Sequence, residues 1–209
     1  SGQKKVLVSF AKLKEEIEKE GYSTHGKPLF INHTLWSRNG KYIYFFVRAG
    51  WRDGDDRDER TNVACTINAD GTGLFVGHPF IGGHPEWDEG SQMIGRHEEK
   101  QVVYDILKRK IVGSIATPEA IPNPEGDISL SPDAKWFVNG YGMKNENYYS
   151  IVRLKDDKWV KSTGINKGHY LKGPLRIDPA PRWNRESNQR LGPGMTVNGT
   201  RHLFRISVK

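Results

Sequence analysis

His33-Thr-Leu-Trp36-Ser-Arg-Asn-Gly40 returns as His84-Pro-Glu-Trp87-Asp-Glu-Gly90, as Asp127-Ile-Ser-Leu130-Ser-Pro-Asp133-Ala134, and more loosely as Ala180-Pro-Arg-Trp183-Asn-Arg-Glu-Ser187. The lead positions of the four stretches are 51, 43 and 53 residues apart. A polar turn beside a strand-like run, recurring at a fixed period, is the mark of a repeat architecture. A period of about 40–50 residues is that of a β-propeller blade, one four-stranded sheet per repeat. The expected fold is therefore all-β: a β-propeller of about four blades, with repeats starting near residues 30, 82, 126 and 177. Equivalent places in successive blades converge on the central channel of a propeller. His33, His84 and Asp127 occupy one such place.

Around these repeats the chain reads as strands and turns. Lys41–Val47 and Thr61–Asn68 are runs of branched and aromatic residues, as are shorter segments near 93–96, 101–106, 111–115, 136–139, 148–154, 159–162 and 202–208. Asn68-Ala-Asp-Gly71 is a turn that places a glycine at positive φ. Lys5–Phe10 reads as a strand. Residues 11–20 form the one helix, a short insertion with Phe10, Leu13 and Ile17 on an apolar stripe and Lys and Glu opposite. Gly21 stops it. Trp36, Trp87 and Trp183, three residues after each lead, read as core between blades. Arg52–Arg60 is a charged loop. Most propellers have more than four blades, so the chain reads as the C-terminal part of a longer ring, completed by further blades or by self-association. A small four-bladed ring is the alternative.

Composition narrows the partners. The 209 residues carry 32 Lys and Arg against 25 Asp and Glu, a net charge of +7. That favours polyanions. The basic residues are interleaved with acids and match no nucleic-acid motif, so an acidic oligosaccharide is the expected partner and nucleic acid is not. The longest apolar run, Tyr42–Val47, is too short to span a bilayer. One cysteine, Cys65, excludes an internal disulfide and a cysteine-built zinc site. Ser1-Gly2 reads as a cloning remnant, so the compartment stays open, from bacterial cytoplasm to periplasm or secretion.

Several elements resemble the oligogalacturonate lyases, seven-bladed propeller enzymes. These are Asn32-His33 before a strand, Thr66-Ile-Asn-Ala-Asp-Gly-Thr72, His84-Pro-Glu-Trp87, and the closing Asp178-Pro-Ala-Pro181 with Gly199-Thr-Arg-His-Leu-Phe204. The Asn-Ala-Asp-Gly-Thr and Trp-Ser-x-Asn-Gly elements are shared with many TolB-type propellers. The resemblance implies β-elimination on uronate-containing oligosaccharides, with the base at His33 and one manganese-binding histidine at His84. The family's two other metal histidines fall at Asp178 and Ala180, and its metal-binding glutamine falls near Leu175. One ligand of four survives in kind. A site for Mn²⁺ or Ca²⁺ built from His84, Asp127 and Asp178 is the form in which a cation is still expected.

The chemistry itself selects residue types. Removing the proton α to a carboxylate needs a base near working pH, which neutral His33 supplies. The carboxylate needs a cation as charge builds on it. Arg48 and Arg176 are candidates at the reacting centre, Arg52 and Arg182 are candidates for holding substrate, and each can bind a carboxylate through paired hydrogen bonds. Tyr141 and Tyr170 are candidate helpers. Two other classes stay in view: a non-catalytic TolB-like propeller that binds a protein or glycan, and a hydrolase using Asp127 and Asp178 as paired carboxylates.

Overall fold

The computed structural model describes residues 2–52 and 54–208; Asp53 of the charged loop lies outside them. The strands fall into four antiparallel sheets, each following chain order. Blade 1 is β1 (Phe30–Trp36), β2 (Tyr42–Ala49), β3 (Thr61–Asn68) and β4 (Phe75–His78). Blade 2 is β5 (Glu86–Trp87), β6 (Gln92–His97), β7 (Lys100–Asp105) and β8 (Lys110–Ser114). Blade 3 is β9 (Asp127–Leu130), β10 (Trp136–Met143), β11 (Glu146–Arg153) and β12 (Lys158–Lys161), with β13 (Ile165–Asn166) pairing on β11. Blade 4 is β14 (Arg182–Trp183), β15 (Gln189–Met195) and β16 (Arg201–Ser207). This is the four-blade, all-β arrangement the repeats predict.

The chain divides into two compact units. The first comprises Ser1–Phe80, Glu89–Gln92 and Asp105–Lys110, and the second Ile81–Asp88, Met93–Tyr104 and Ile111–Lys209. In the first, helix α1 (Phe10–Lys19) covers one face of blade 1. Ser9 caps it, its hydroxyl accepting from the Lys12 N–H at 3.1 Å. Gly21, at φ 84°, ends it. Leu13 and Ile17, one turn apart, are fully buried among Ile43, Phe45, Val47, Val63, Cys65, Ile67 and Val76. Burying each contributes about 2 kcal/mol. Lys–Glu pairs on the outer face, such as Lys12 with Glu16 at 2.7 Å, add only tenths.

Residues 5–9 are not a strand; they lead into the helix cap. Phe10 sits outside the stripe and is exposed. Trp87 is buried, and Trp183 packs on Val138, Tyr149 and Ile151. Trp36 breaks the pattern at 58% exposure: it is paired with Ile43 at the end of β1 yet lies outside the cluster packed under α1.

In the second unit, blade 3 is apolar on both faces. Alternation along a strand sends neighbours to opposite sides. Phe137 and Val152 join Ile94, Ile115, Ile121, Ile128 and Leu130 in one cluster. Val138 and Ile151 join Tyr149, Trp183 and Ile206 in another. The inner strands β5, β9 and β14 lie side by side, as propeller geometry requires.

His78 is buried at the end of β4, its Nε2 2.8 Å from the Thr66 hydroxyl. Burial, aided by the nearby Arg109 guanidinium, lowers its pKa to about 4. The unfolded chain therefore binds this proton at higher pH than the folded one, and stability falls as pH drops from about 6.5 to about 4. His78→Gln should flatten that fall by roughly 2–3 kcal/mol, read from urea midpoints between pH 4 and 7. Leu13→Ala should lower stability by about 2–5 kcal/mol in the same measurement at pH 7.

Candidate functional site

Blade 1 sets two of the sequence-predicted residues on one aromatic ring. The β1–β2 register runs Asn32 opposite Phe46, then Leu35 opposite Tyr44, so His33 and Thr34 form a bulge. His33 adopts the left-handed conformation there, φ 50°, which costs a non-glycine residue about 1–2 kcal/mol. Its imidazole meets the Phe46 ring edge-on, centroids 5.8 Å apart. Two residues along β2, the Arg48 guanidinium lies 4.8 Å from the same ring centroid and 4.5 Å from that of Trp51. Arg48 is buried, its Nε donates to Asn62 Oδ1 at 2.8 Å, and burial pulls its pKa down. Arg60 stacks on Trp51 as well, at 4.8 Å. Arg52 lines a neighbouring cleft of about 340 Å³ with Lys27, Trp51 and Asp55. Lys27 is held there by Glu59 at 2.9 Å and Asp55 at 3.6 Å.

The second unit joins three lead positions. His84 Nδ1 lies 3.2 Å from Asp127 Oδ1, and Asp127 Oδ2 accepts the Ala180 N–H at 2.9 Å. Blades 2, 3 and 4 thus meet at the two oxygens of one carboxylate. Ala180 repeats the backbone feature of His33, with φ 35°. Asp178 pairs instead with Arg176, Nε to Oδ1 2.8 Å. Arg182 is exposed and its Nη1 donates to the Pro181 carbonyl. Tyr141 is buried, stacked 5.9 Å from Tyr148, so it is placed as core and not at a surface. Tyr170 carries the Arg201 guanidinium at 4.8 Å.

The expected cation site does not assemble. Among the described residues no three His, Cys, Asp or Glu side chains are grouped to hold a metal ion. Both Asp127 oxygens are engaged and Asp178 is turned to Arg176. A larger cleft, about 700 Å³, lies at the outer strands between Trp136, Trp159 and Val208, where no lead residue reaches.

Sequence reading passed over Arg190. It lies on β15, whose Gln189-Arg-Leu-Gly-Pro-Gly-Met195 is too rich in Gly and Pro to read as a strand. It is fully buried, with its guanidinium 3.5 Å from the Tyr149 ring centroid.

Asp127→Ala should release both His84 and the Ala180 N–H. We expect a loss of about 1 kcal/mol in urea unfolding, modest because Ala180 is exposed, with the imidazole resonances of His84 shifting in NMR spectra.

The sequence matches no protein-family model and no curated protein. Solved structures do match. TolB from Acinetobacter baumannii superimposes with a TM-score of 0.56 at 11% identity, over 83% of this chain and 40% of that one. An oligogalacturonate lyase in complex with manganese gives 0.55 at 13% identity, over 86% and 49%. The oligogalacturonate lyase from Vibrio parahaemolyticus gives 0.58 at 14%, over 86% and 49%. The chain spans less than half the length of each of these structures. Its fold is that of the TolB-like and oligogalacturonate lyase β-propellers.

Proposed function

We propose that the chain belongs to a carbohydrate-active propeller that cleaves acidic oligosaccharides by β-elimination. The observation that carries this reading is the placement of His33 and Arg48 on the single Phe46 ring. Elimination needs a base and a carboxylate-binding cation close together, and this ring holds one of each. His33 takes the proton α to the uronate carboxylate. Arg48 neutralises the charge that builds on that carboxylate as the proton leaves; the electron pair then forms the C=C bond and expels the glycosidic oxygen, which takes its proton from water. Partial desolvation strengthens such a contact, because a guanidinium withdrawn from water interacts more strongly with an anion. Trp51 and Arg60 extend the cationic and aromatic surface beside it. Among the described residues no set of side chains is grouped to hold the manganese named for one structural neighbour, and no step here is routed through a metal.

A second reading is favoured by one observation. Ala180, which has no side-chain chemistry, shares the left-handed backbone of His33 at the equivalent place. The left-handed backbone is thus found also at a lead position that carries no side-chain chemistry. On that reading His33 is architectural, and the chain is a non-catalytic TolB-like module that binds a glycan or protein.

Incubation with uronate-containing oligosaccharides, following the ultraviolet absorbance of the unsaturated sugar, separates the two. Lyase activity should appear without added Mn²⁺ and should fall about 10²–10⁴-fold in His33→Ala. Arg48→Gln should lower kcat with the fold intact by circular dichroism. Absence of product from any uronate substrate selects the binding module, and activity that survives in His33→Ala overturns His33 as the base.

A further inference from the structure

Sorted by blade, the charge of the chain is uneven. Of its 32 Lys and Arg and 25 Asp and Glu, residues 161–209 hold ten and two, so the 160 residues before them carry 22 and 23. The whole of the net positive charge therefore belongs to blade 4 and the segment leading into it. The register of that blade sorts its residues by face. Trp183, Arg190 and Ile206 stand opposite one another across β14, β15 and β16, and Trp183 and Ile206 pack into the cluster on blade 3. Arg182, Leu191 and Arg205 form the next row, on the other face. Along β16, Leu203 and Arg201 share that face with Arg205. Arg182, Arg201 and Arg205 are exposed, as are Leu191 at 43% and Leu203 at 68%. The two acids of the segment are engaged elsewhere: Asp178 pairs with Arg176, and Glu186 accepts from the Asn184 side chain.

Two strand spacings separate Arg182 from Arg205, about 10 Å, and four residues of β16 separate Arg205 from Arg201, about 13 Å. Cations so spread do not converge on one small anion; they match the separate charges of a polymer. Each guanidinium is a fork that fits a carboxylate or a phosphate. What lies between the arginines distinguishes the polymers. Leu191 and Leu203 offer aliphatic surface, which suits the C–H face of a sugar ring. A single nucleic acid strand is held by aromatic rings on which its bases stack. Among the described residues of β14–β16 this face carries no aromatic ring; Trp183 and Phe204 belong to the other. We propose that this face of blade 4 binds the chain of an acidic polysaccharide, a polyuronate. Arg182, Arg201 and Arg205 meet separate carboxylates, and the two leucines lie under sugar rings between them. The choice of uronate rests on the lyase reading above; the place and the sign of the ligand rest on register and charge. A long chain engages all three arginines at once, so affinity rises with chain length.

The test measures binding of the full chain to polygalacturonate immobilised on a biosensor, over a range of salt. His33→Ala is run beside the wild type, so that cleavage does not erase the signal. Combining Arg182→Gln, Arg201→Gln and Arg205→Gln should weaken binding at least about tenfold and flatten the slope of log affinity against log salt by about 2–3. Combining Lys12→Gln, Lys14→Gln and Lys19→Gln on α1 removes the same charge and should leave affinity within about twofold. If the triple arginine variant does not fold, Arg182→Gln and Arg205→Gln singly should each cost about threefold. No binding at low salt, arginine variants that bind as the wild type does, an equal loss in the α1 variant, or tighter binding of single-stranded DNA at the same salt overturns the proposal. Product formation plays no part in this readout. A chain that binds without cleaving any uronate substrate refutes the lyase reading alone, and one that cleaves without this binding refutes the blade 4 face alone.

Discussion

Burial of a sheet on both faces is the constraint from which the rest follows. β2 is buried at every position from Ile43 to Ala49. Ile43, Phe45 and Val47 face α1; Tyr44, Phe46 and Arg48 face the other way. Blade 3 is sandwiched in the same manner, Phe137 and Val152 on one side, Val138 and Ile151 on the other. A sheet of this kind cannot stand alone in water, because either face left open exposes an apolar surface. Helix α1 is one answer to that demand, a neighbouring blade the other. Two buried arginines lie on these same faces. Arg48 is held by the packing that buries β2, and Arg190 by the packing of blade 4 on blade 3.

The lead positions show how one place in a repeat takes on different work. Asp127 accepts from both sides, binding His84 with one oxygen and the main chain of Ala180 with the other. A carboxylate can do this because it offers two acceptors at fixed separation. Alanine at 180 is compatible with that role, since only a backbone N–H is needed there. Among the described residues no metal set is grouped, and both oxygens of Asp127 are engaged in this arrangement.

Much of the architecture was legible because it is periodic. The four-blade repeat, the turn at Gly71 and the helix stripe of Leu13 and Ile17 are local patterns with a physical period, and the structure contains each. What escaped was non-local or masked by composition. Residues 5–9 have strand-like chemistry but lead into the Ser9 cap instead. β15 hides behind its glycines, of which Gly192 admits the Tyr149 ring and hydroxyl and Gly194 the Ile165 side chain. Trp36 follows the repeat yet stays exposed, because burial depends on what covers a face and not on the motif. For the site, His33 and Arg48 were each readable as chemistry, but their meeting on Phe46 depends on a bulge that no spacing rule announces. Arg190 is legible only once its surroundings are known to be apolar.

Cys65 gives blade 1 a built-in clock. It is the single cysteine, fully buried beneath α1, and burial raises its thiol pKa to about 12. A thiol reagent reacts with thiolate and needs access, and the closed blade denies both. Reaction must therefore wait for the sheet to part from its helix. Where reclosing outpaces labelling, the labelling rate reports the fraction of time the blade is open, and the free energy of opening follows from its ratio to the rate for an unprotected thiol.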